Sequence, residues 1–375
     1  MKDFWAEELQ NQRKGKLLKV AILIVILLII IAFAVLIVVY FQNTDFRKWC
    51  DENIIKKEIQ QENTKYIDID GDDNTKVYAY DKYICVYRKK VLEFYNRAGE
   101  KSGSIELSTN NPMFTTAGRY LAICNEIEGN IKQINVSKNG YVSVVISNTS
   151  YKSIVDVFDG SGKEIFKTNL MSRVVDISIS QDNKYLAIAE VDLSGIIIKS
   201  RIQIISIELA KTDSEKAIQY KYEATNNKLI MNIEYQEQNN LICMYNDSVD
   251  ILQEQNNKEN ESFKNKKISF MTVQLNNRIT LLEEKSTGEY TADTKVRIID
   301  PVTLKEKEYT INGVAKAITT SENRIAINLG SELHIISKNG ILLQKYISKT
   351  EINDVVMTDG VVGVVYRDKI QIIDL

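Results

Sequence analysis

Histidine, proline and the common catalytic motifs are nearly absent from this sequence of 375 residues. His334 is the only histidine, so a metal site with several imidazole ligands is excluded, and a Ser-His-Asp site would depend on this one residue. Its apolar neighbours Leu333 and Ile335 are typical of a strand, and we interpret it as structural. No nucleophile elbow, phosphate-binding glycine loop, dinucleotide loop or zinc-protease string occurs. The sequence therefore identifies no catalytic residue and no cofactor.

Cysteines and basic residues are present, but not in patterns that indicate a site. The absence of C-x-x-C spacing excludes the common zinc and thioredoxin-type motifs. Three of the four cysteines lie in apolar runs, where a free thiol behaves as a small buried hydrophobe. An even number of cysteines outside the cytoplasm also permits disulfides, but the sequence does not show which cysteines would pair. The four are Cys50, Cys85, Cys124 and Cys243. Residues 42–375 contain 43 basic and 47 acidic residues, and a net charge near −4 argues against a nucleic-acid partner, because phosphate binding needs a concentrated basic face.

One acidic stretch resembles the start of a calcium loop. Asp68, Asp70 and Asp72 alternate around Gly71, and oxygen ligands at such spacing suit Ca²⁺. However, the twelfth position counted from Asp68 is Ala79, where an EF-hand requires glutamate. We interpret the stretch as a solvated turn between strands and keep these three aspartates as weak candidates for a metal site.

A long uncharged run is the first strong positive feature. Val20–Phe41 is almost entirely Ile, Leu, Val and Ala, and as a helix it is long enough to cross a bilayer core of about 30 Å. A buried soluble helix would show a polar stripe, which is missing. A cleaved signal peptide would end at small residues, but Ala32-Phe33-Ala34 lies in the middle of the run. We predict an uncleaved signal anchor.

Basic residues are concentrated on the N-terminal side of this run. The positive-inside rule therefore predicts residues 1–19 to be a short, flexible cytoplasmic tail and everything after the span to be extracytoplasmic, with the inverted topology as the alternative. The basic residues before the span are Arg13, Lys14, Lys16 and Lys19; Arg47 and Lys48 follow it. Residues 42–63 are polar with a four-residue apolar spacing, which favours a juxtamembrane stalk.

From residue 64 onward the sequence predicts short strands joined by turns of Asn, Gly and Asp. One hairpin unit recurs, as ISISQDNKYLAIA from Ile177, INVSKNGYVSVVI from Ile134 and MFTTAGRYLAIC from Met113. A second unit with more polar outer strands usually follows, so together they form four-stranded antiparallel meanders. Hairpins begin near residues 77, 113, 134, 177, 231, 271, 317 and 355. Most intervals are near the 40–50 residues of a propeller blade.

The repeats predict an all-β fold: a β-propeller of about eight blades over residues 64–375. The interval from Met113 to Ile134 is too short for four strands, so we predict a truncated blade there; a ring of seven blades is the alternative. The last blade ends after KIQIIDL with three strands, while Thr64–Asp70 is a strand without a blade. We predict that this first strand completes the last blade and closes the ring.

The hairpin sequence at Ser180–Ile188 resembles WD-repeat-like and quinoprotein-like blades, and the sequence at Thr115–Ile123 is a version of it with substitutions. The whole arrangement resembles an uncharacterised family of single-pass, membrane-anchored propellers from Gram-positive, clostridia-type bacteria, a domain of unknown function. This resemblance implies no catalytic residue and no cofactor.

Two functions remain open at this stage. Loops on both faces of a rigid disc favour a binding or scaffold module for a protein or cell-envelope polymer, anchored in the cell membrane. The alternative is a propeller enzyme, a hydrolase or lyase of envelope polymers. A central channel with converging Asp, Glu, Arg or Tyr would indicate an enzyme, and one lined by Val, Ile and Ala a scaffold.

Overall fold

The computed structural model describes residues 2–42, 46, 50, 54–55, 65–69, 75–109, 111–125, 131–213, 215–224, 228–253, 256–260, 268–272, 278–286, 292–358 and 360–375. The chain forms two compact units, residues 1–57 and 58–375. The first contains a long helix and the second is built of strands.

Helix α1 spans Lys2–Gln42. By length and composition its segment Ile22–Gln42 can cross a membrane, and its large apolar side chains are exposed rather than packed on protein. The predicted span is therefore helical, and the helix also includes residues 2–19. The cytoplasmic place and the flexibility of this tail stay predictions. The tail carries no proline and only Gly15 as a weak helix former, so the helix of the span continues through it. Most of the predicted stalk, 42–63, lies outside the described residues.

The second unit contains seven four-stranded antiparallel sheets and one two-stranded sheet among its described residues. We number these blades in chain order, with the two-stranded sheet as blade 2, the half-blade. The strands of blades 1 to 4 are β2 Lys76–Tyr80, β3 Tyr83–Arg88, β4 Val91–Tyr95, β5 Lys101–Glu106; β6 Pro112–Ala117, β7 Tyr120–Asn125; β8 Ile131–Val136, β9 Val142–Ile146, β10 Ser153–Phe158, β11 Glu164–Leu170; β12 Arg173–Ile179, β13 Tyr185–Asp192, β14 Lys199–Ser206 and β15 Ile218–Glu223.

Blades 5 to 8 repeat the meander, and β1 joins the last of them. Their strands are β16 Ile230–Tyr235, β17 Leu241–Tyr245, β18 Val249–Gln253, β19 Asn256–Asn260; β20 Ile268–Thr272, β21 Ile279–Ser286, β22 Ala292–Ile299, β23 Glu306–Asn312; β24 Ala317–Thr320, β25 Arg324–Asn328, β26 Glu332–Ser337, β27 Leu342–Ile347; β28 Asp354–Met357, β29 Val361–Val365, β30 Lys369–Asp374 and β1 Lys65–Asp68. One helical turn, α2 Ile207–Ala210, and a 3₁₀ turn, Glu237–Asn239, lie between strands.

The composition of each strand follows its depth in its blade. Every residue of β17 (LICMY) and β29 (VVGVV) is buried, whereas every residue of β5 (KSGSIE) is exposed. Middle strands are covered on both faces by neighbouring blades and therefore read as apolar runs, while an outermost strand meets solvent. The eight hairpin starts coincide with the first strand of each sheet, so the predicted all-β propeller of eight blades is confirmed.

Blade 8 is completed by the first strand of the propeller, as predicted. β1 pairs antiparallel with β30, with Lys65 opposite Ile372 and Asp68 opposite Lys369. The backbone N–H of Ile69 extends this ladder to Asp368 O at 2.9 Å. Ile67 is buried with side chains of β3 in blade 1 as well as of β30, so it joins the first and last blades of the ring.

The half-blade replaces its missing outer strands with aromatic packing. Phe114 of β6 stacks on Tyr78 of blade 1, with ring centroids 4.2 Å apart. On the other side, Tyr120 lies against the turn of blade 3 at Gly140, where φ is +80° and an added Cβ would fall 2.7 Å from the ring. Both the left-handed conformation and the close ring require glycine at this turn. The half-blade is thus a separate, tightly packed element, and the seven-blade alternative is wrong.

Candidate functional site

The innermost strands of the blades all run toward the same end of the disc, because each antiparallel meander begins at the axis with the same direction. Their last residues and the turns that follow surround a cavity of about 470 Å³. Described residues of seven blades line it, all except blade 6. We call this cavity the mouth, and the end of the disc that carries it the mouth end.

Hydroxyl and amide side chains dominate the mouth. The lining hydroxyls and amides are Thr115, Thr116, Asn135, Ser137, Gln181, Thr320, Ser321 and Thr358, and the charged residues are Asp81, Lys138, Glu234 and Glu322. The mouth is therefore neither the aliphatic channel expected of a plain scaffold nor a convergence of many charged groups. Its chemistry suits a ligand that makes many hydrogen bonds.

The blade repeat explains why small hydroxyl residues stand at this position. In blade 3 the Ser137 hydroxyl accepts the backbone N–H of Tyr141 at 3.0 Å, and in blade 4 Ser180 accepts that of Tyr185 at 2.9 Å. In blade 8, Thr358 accepts the N–H of Gly360 at 3.3 Å. A side-chain oxygen that binds backbone N–H groups a few residues on stabilises a tight turn. Ser137 and Thr358 thus both close an inner hairpin and line the mouth, whereas Ser180 is buried beneath it.

Glu234 is the carboxylic acid with the most strongly altered acidity in the mouth. On β16 its neighbours Ile233 and Tyr235 are buried, so alternation directs Glu234 to the opposite, axial face, where it lines the cavity. Burial, together with the negative charge of Asp176, raises the pKa of Glu234 to about 8, although Lys138 opposes the rise. Near neutral pH this group is mostly a protonated carboxyl that can donate a hydrogen bond.

Asp176 holds three blades together beneath the mouth. Its carboxylate accepts the backbone N–H of Ile233 at 2.8 Å, that of Ile177 at 2.9 Å and the side-chain amide of Asn232 at 2.5 Å, and it also accepts the amide of Gln133. Burial raises the pKa of Asp176, against the effect of these hydrogen bonds. Asp176 therefore fixes the strand that carries Glu234 and does not itself line the cavity.

An ion pair crosses the entrance of the mouth. Lys138 Nζ of blade 3 lies 3.6 Å from Glu322 Oε1 of blade 7. Both side chains are about half exposed, and a pair this open contributes at most about 1 kcal/mol. The pair therefore narrows the entrance without closing it against a ligand.

His334 lies in β26, as predicted, away from the mouth. It is buried, with Tyr309 Oη 3.0 Å from Nδ1 and Glu332 Oε2 3.2 Å from Nε2. Both ring nitrogens have protein partners, which is the arrangement of a structural histidine.

The predicted aspartate candidates for a metal are only partly described. Asp68 lies exposed in β1, while Asp70 and Asp72 lie outside the described residues. Within the described part of the chain, no group of three or more His, Cys, Asp or Glu side chains is arranged to hold a metal ion. A calcium site at these aspartates stays a weak candidate, and the interpretation as a solvated turn stays a prediction.

All four cysteines are free. Cys85 and Cys243 are buried in β3 and β17, as predicted from their apolar surroundings, and Cys124 is half-buried in β7. Burial raises the pKa of the Cys85 thiol to about 12. Thiols in this state are structural and unreactive.

Glu234 and Asp176 were missed by sequence reasoning. For Glu234 a signal existed: it is the one charged residue in the phase opposite to Ile233 and Tyr235 on a predicted innermost strand. For Asp176 none existed, because the partners that give it its role lie in two other blades, 43 to 57 residues away.

Solved structures with similar chain traces are propellers of very different sequence. The Neurospora crassa Pan2 WD40 domain is 12% identical, with a TM-score of 0.44 over 84% of this chain and 97% of that one. The Myceliophteria thermophila Cps50 (Swd1) β-propeller domain is 10% identical, with a TM-score of 0.43 over 84% and 99%. BamB from Moraxella catarrhalis is 12% identical, with a TM-score of 0.35 over 80% and 82%. The fold assignment therefore rests on the strand pairing itself.

No curated protein matches this sequence. A family model does match residues 125–375, about two thirds of the chain and all of the propeller after the half-blade. On that match, the chain belongs to the family of unknown function DUF5711.

Proposed function

We propose that this protein is a membrane-anchored extracytoplasmic binding module, with the mouth as its ligand-binding surface. In this proposal residues 1–19 are cytoplasmic, 20–41 span the cell membrane, 42–63 form a stalk, and 64–375 present the propeller to the cell envelope of a Gram-positive-type bacterium. The apolar helix and the basic residues that precede it support the topology. The partner is a protein or a cell-envelope polymer.

The hydroxyl-rich mouth is the observation that carries the binding function. A cavity of about 470 Å³ is large enough for several sugar rings or a peptide segment, and its lining offers donors and acceptors from seven blades.

Topology is tested by reporters fused after Leu375. An alkaline phosphatase, active only after export, is expected to be active there, and a cytosol-only fluorescent protein to be dark. Activity of the cytosolic reporter alone would show the inverted topology and contradict the proposal.

Binding is tested by photo-crosslinking in living cells. A benzoylphenylalanine at Thr116, which is exposed in the mouth, is expected to capture a discrete envelope protein or polymer. The control carries the same group at Thr350, which is exposed in the turn that follows β27, at the other end of the disc. Equal adducts at both positions, or adducts at Thr350 alone, would show that the mouth is not the binding surface.

An envelope-polymer hydrolase or lyase is the second candidate, because Glu234 is a carboxyl with its pKa raised to about 8 in a cavity, which suits a general acid. Such chemistry needs a second group, and Asp176, held by four hydrogen bonds outside the cavity lining, does not supply a free nucleophile. Release of reducing ends from purified cell-wall glycan, lost in Glu234→Gln, would favour the enzyme. No release from the full chain would leave the binding module.

A further inference from the structure

An exposed aliphatic loop projects from blade 4 at the end of the disc opposite the mouth. It joins β13 to β14 and reads Leu193-Ser194-Gly195-Ile196-Ile197-Ile198. Asp192 Oδ1 accepts the backbone N–H of Ser194 at 2.9 Å and its hydroxyl at 2.6 Å, which fixes the base of the loop. All four aliphatic side chains are exposed, and Ile196 is exposed to 105% of its reference area.

This exposure is unusual for the propeller. Within the propeller, a run of branched aliphatic residues such as β29 is fully buried between blades. Three consecutive isoleucines in water gain nothing for the fold, and such a patch marks a surface that is covered by something else. Met171, in the turn that precedes β12, adds a further exposed apolar side chain at the same end of blade 4.

A basic cavity lies beside the loop. It has a volume of about 460 Å³, and its lining includes Lys132 and Lys152 of blade 3 and Arg173 of blade 4, with Asn148 and Ser153 between them. Arg173 pairs with Val191 in the strand that leads into the loop, and Lys199, at the loop's other foot, pairs with Asp192. Among the described residues, none of the four cations lies within 4.0 Å of a carboxylate oxygen, although the charge of Lys152 acts on Asp192 at the base of the loop.

We propose that this end of blades 3 and 4 docks on an anionic phospholipid bilayer, with the loop entering the acyl boundary and the cavity binding a phosphate head group. Aliphatic side chains gain most in a hydrocarbon environment, and lysine and arginine around them are attracted by acidic lipids. A helix that anchors the chain also keeps the loop at high local concentration near a bilayer, so a weak docking affinity is sufficient.

Charge favours a lipid surface over a protein partner. The exposed apolar side chains here are aliphatic except for Tyr151, in the β9–β10 turn beside Lys152, whereas a protein interface is enriched in several aromatic anchors. A single tyrosine at the edge of an aliphatic patch is also typical of a membrane interface. Phosphate head groups carry the negative charge that complements these four cations. This docking surface is independent of the mouth, so it does not depend on which ligand the mouth binds.

Quenching by brominated acyl chains tests the insertion. The full-length chain with Ile196→Trp is reconstituted in nanodiscs of brominated phosphatidylcholine, with and without phosphatidylglycerol. The matched variant is Val302→Trp, an exposed aliphatic position in the β22–β23 turn at the mouth end. We expect at least twofold stronger additional quenching for Ile196→Trp than for Val302→Trp in the acidic nanodiscs, and a decrease toward the control value in neutral ones.

Charge reversal tests the head-group cavity. Lys152→Glu with Arg173→Glu, both exposed, should remove the excess quenching at Ile196→Trp and leave the far-ultraviolet circular dichroism of the chain unchanged. Raising the salt from 0.05 to 0.5 M should also decrease the excess, because screening weakens the attraction to lipid. Equal quenching at positions 196 and 302, or capture of a protein by the loop without insertion into lipid, would overturn the proposal. Insertion that survives charge reversal would overturn the head-group cavity.

Discussion

Removing the side chain of Ile67 tests how much the closing strand stabilises the propeller. Ile67 is 5% exposed and packs on residues of β30 and of blade 1. Truncation of a buried isoleucine to alanine costs about 2–5 kcal/mol, and we expect about 2–3 for Ile67→Ala because its strand is the outermost of the blade. That is a large fraction of the roughly 5–15 kcal/mol by which domains are stable.

A matched control is available on another outermost strand. Ile105 of β5 is 48% exposed, so Ile105→Ala should change the free energy of unfolding by less than about 0.5 kcal/mol. Both variants are measured as full-length chains in detergent micelles, by urea unfolding followed with circular dichroism; the midpoint should fall for Ile67→Ala alone, at an unchanged slope. If the two variants unfold at the same urea concentration, the closing strand does not stabilise the ring.

The register of the closure is tested separately by disulfide trapping. Asp68 and Lys369 are directly opposite each other, so their Cα atoms lie within about 4.5–5.5 Å, the range that a disulfide bridges. Oxidation of Asp68→Cys with Lys369→Cys should therefore link the two ends of the domain. Asp68→Cys with Asp374→Cys, about 16 Å further along β30, should not form this link. Equal yields from both pairs would contradict the register.

Three further predictions follow from the geometry of the half-blade, the mouth and the thiols. Gly140→Ala should destabilise the chain by about 1–3 kcal/mol more than Gly162→Ala, because both have a positive φ but only Gly140 meets an aromatic ring; equal urea midpoints would contradict this packing. The raised pKa of Glu234 favours its neutral form on folding, so its stabilising contribution is complete below about pH 4.5 and is lost as the pH rises to about 8. Glu234→Gln should remove this decline in unfolding midpoint, whereas Glu322→Gln, exposed at the same mouth, should retain it; a parallel pH profile for all three chains would refute the assignment. Cys124 should react with a thiol reagent before the two buried thiols of the propeller, as judged by peptide mass. Labelling of all three thiols at one rate would show that they react only when the whole propeller unfolds, and would contradict the partial exposure of Cys124.

The blades were predictable because their signal is local. The text VVMTDGVVGVV contains both inner strands and the turn between them, so blade 8 is recognisable within about ten residues. Ring closure was predictable for a different reason: one strand was left over at each end of the domain, and an open edge strand needs a partner.

The helical tail and the mouth could not be derived in the same way. In residues 2–19 the apolar positions Phe4, Trp5 and Leu9 indicate a helical turn or two at most, so the sequence did not predict one helix continuous with the span. Asp176 of blade 4 accepts hydrogen bonds from residues of blades 3 and 5. The residue spacing within one blade does not specify which residues of the neighbouring blades lie next to it. The local sequence therefore predicts the blades, but the side-chain contacts between blades are seen only in the folded ring.

The direction of β1, the closing strand, shows at which end of the propeller the strand begins. β28 runs toward the mouth, where Met357 and Thr358 line the cavity, so β30 also runs toward the mouth and β1, antiparallel to it, runs away. Lys65, the first described residue of the propeller, consequently lies at the mouth end of blade 8. The aliphatic loop and the basic cavity lie at the other end, on blades 3 and 4. In the proposed docked state the mouth faces away from the lipid surface. Because the ring is closed by strand pairing, the mouth and the aliphatic loop are held at opposite ends of the propeller. The proposed ligand binding and the proposed lipid docking can therefore occur on one molecule at the same time.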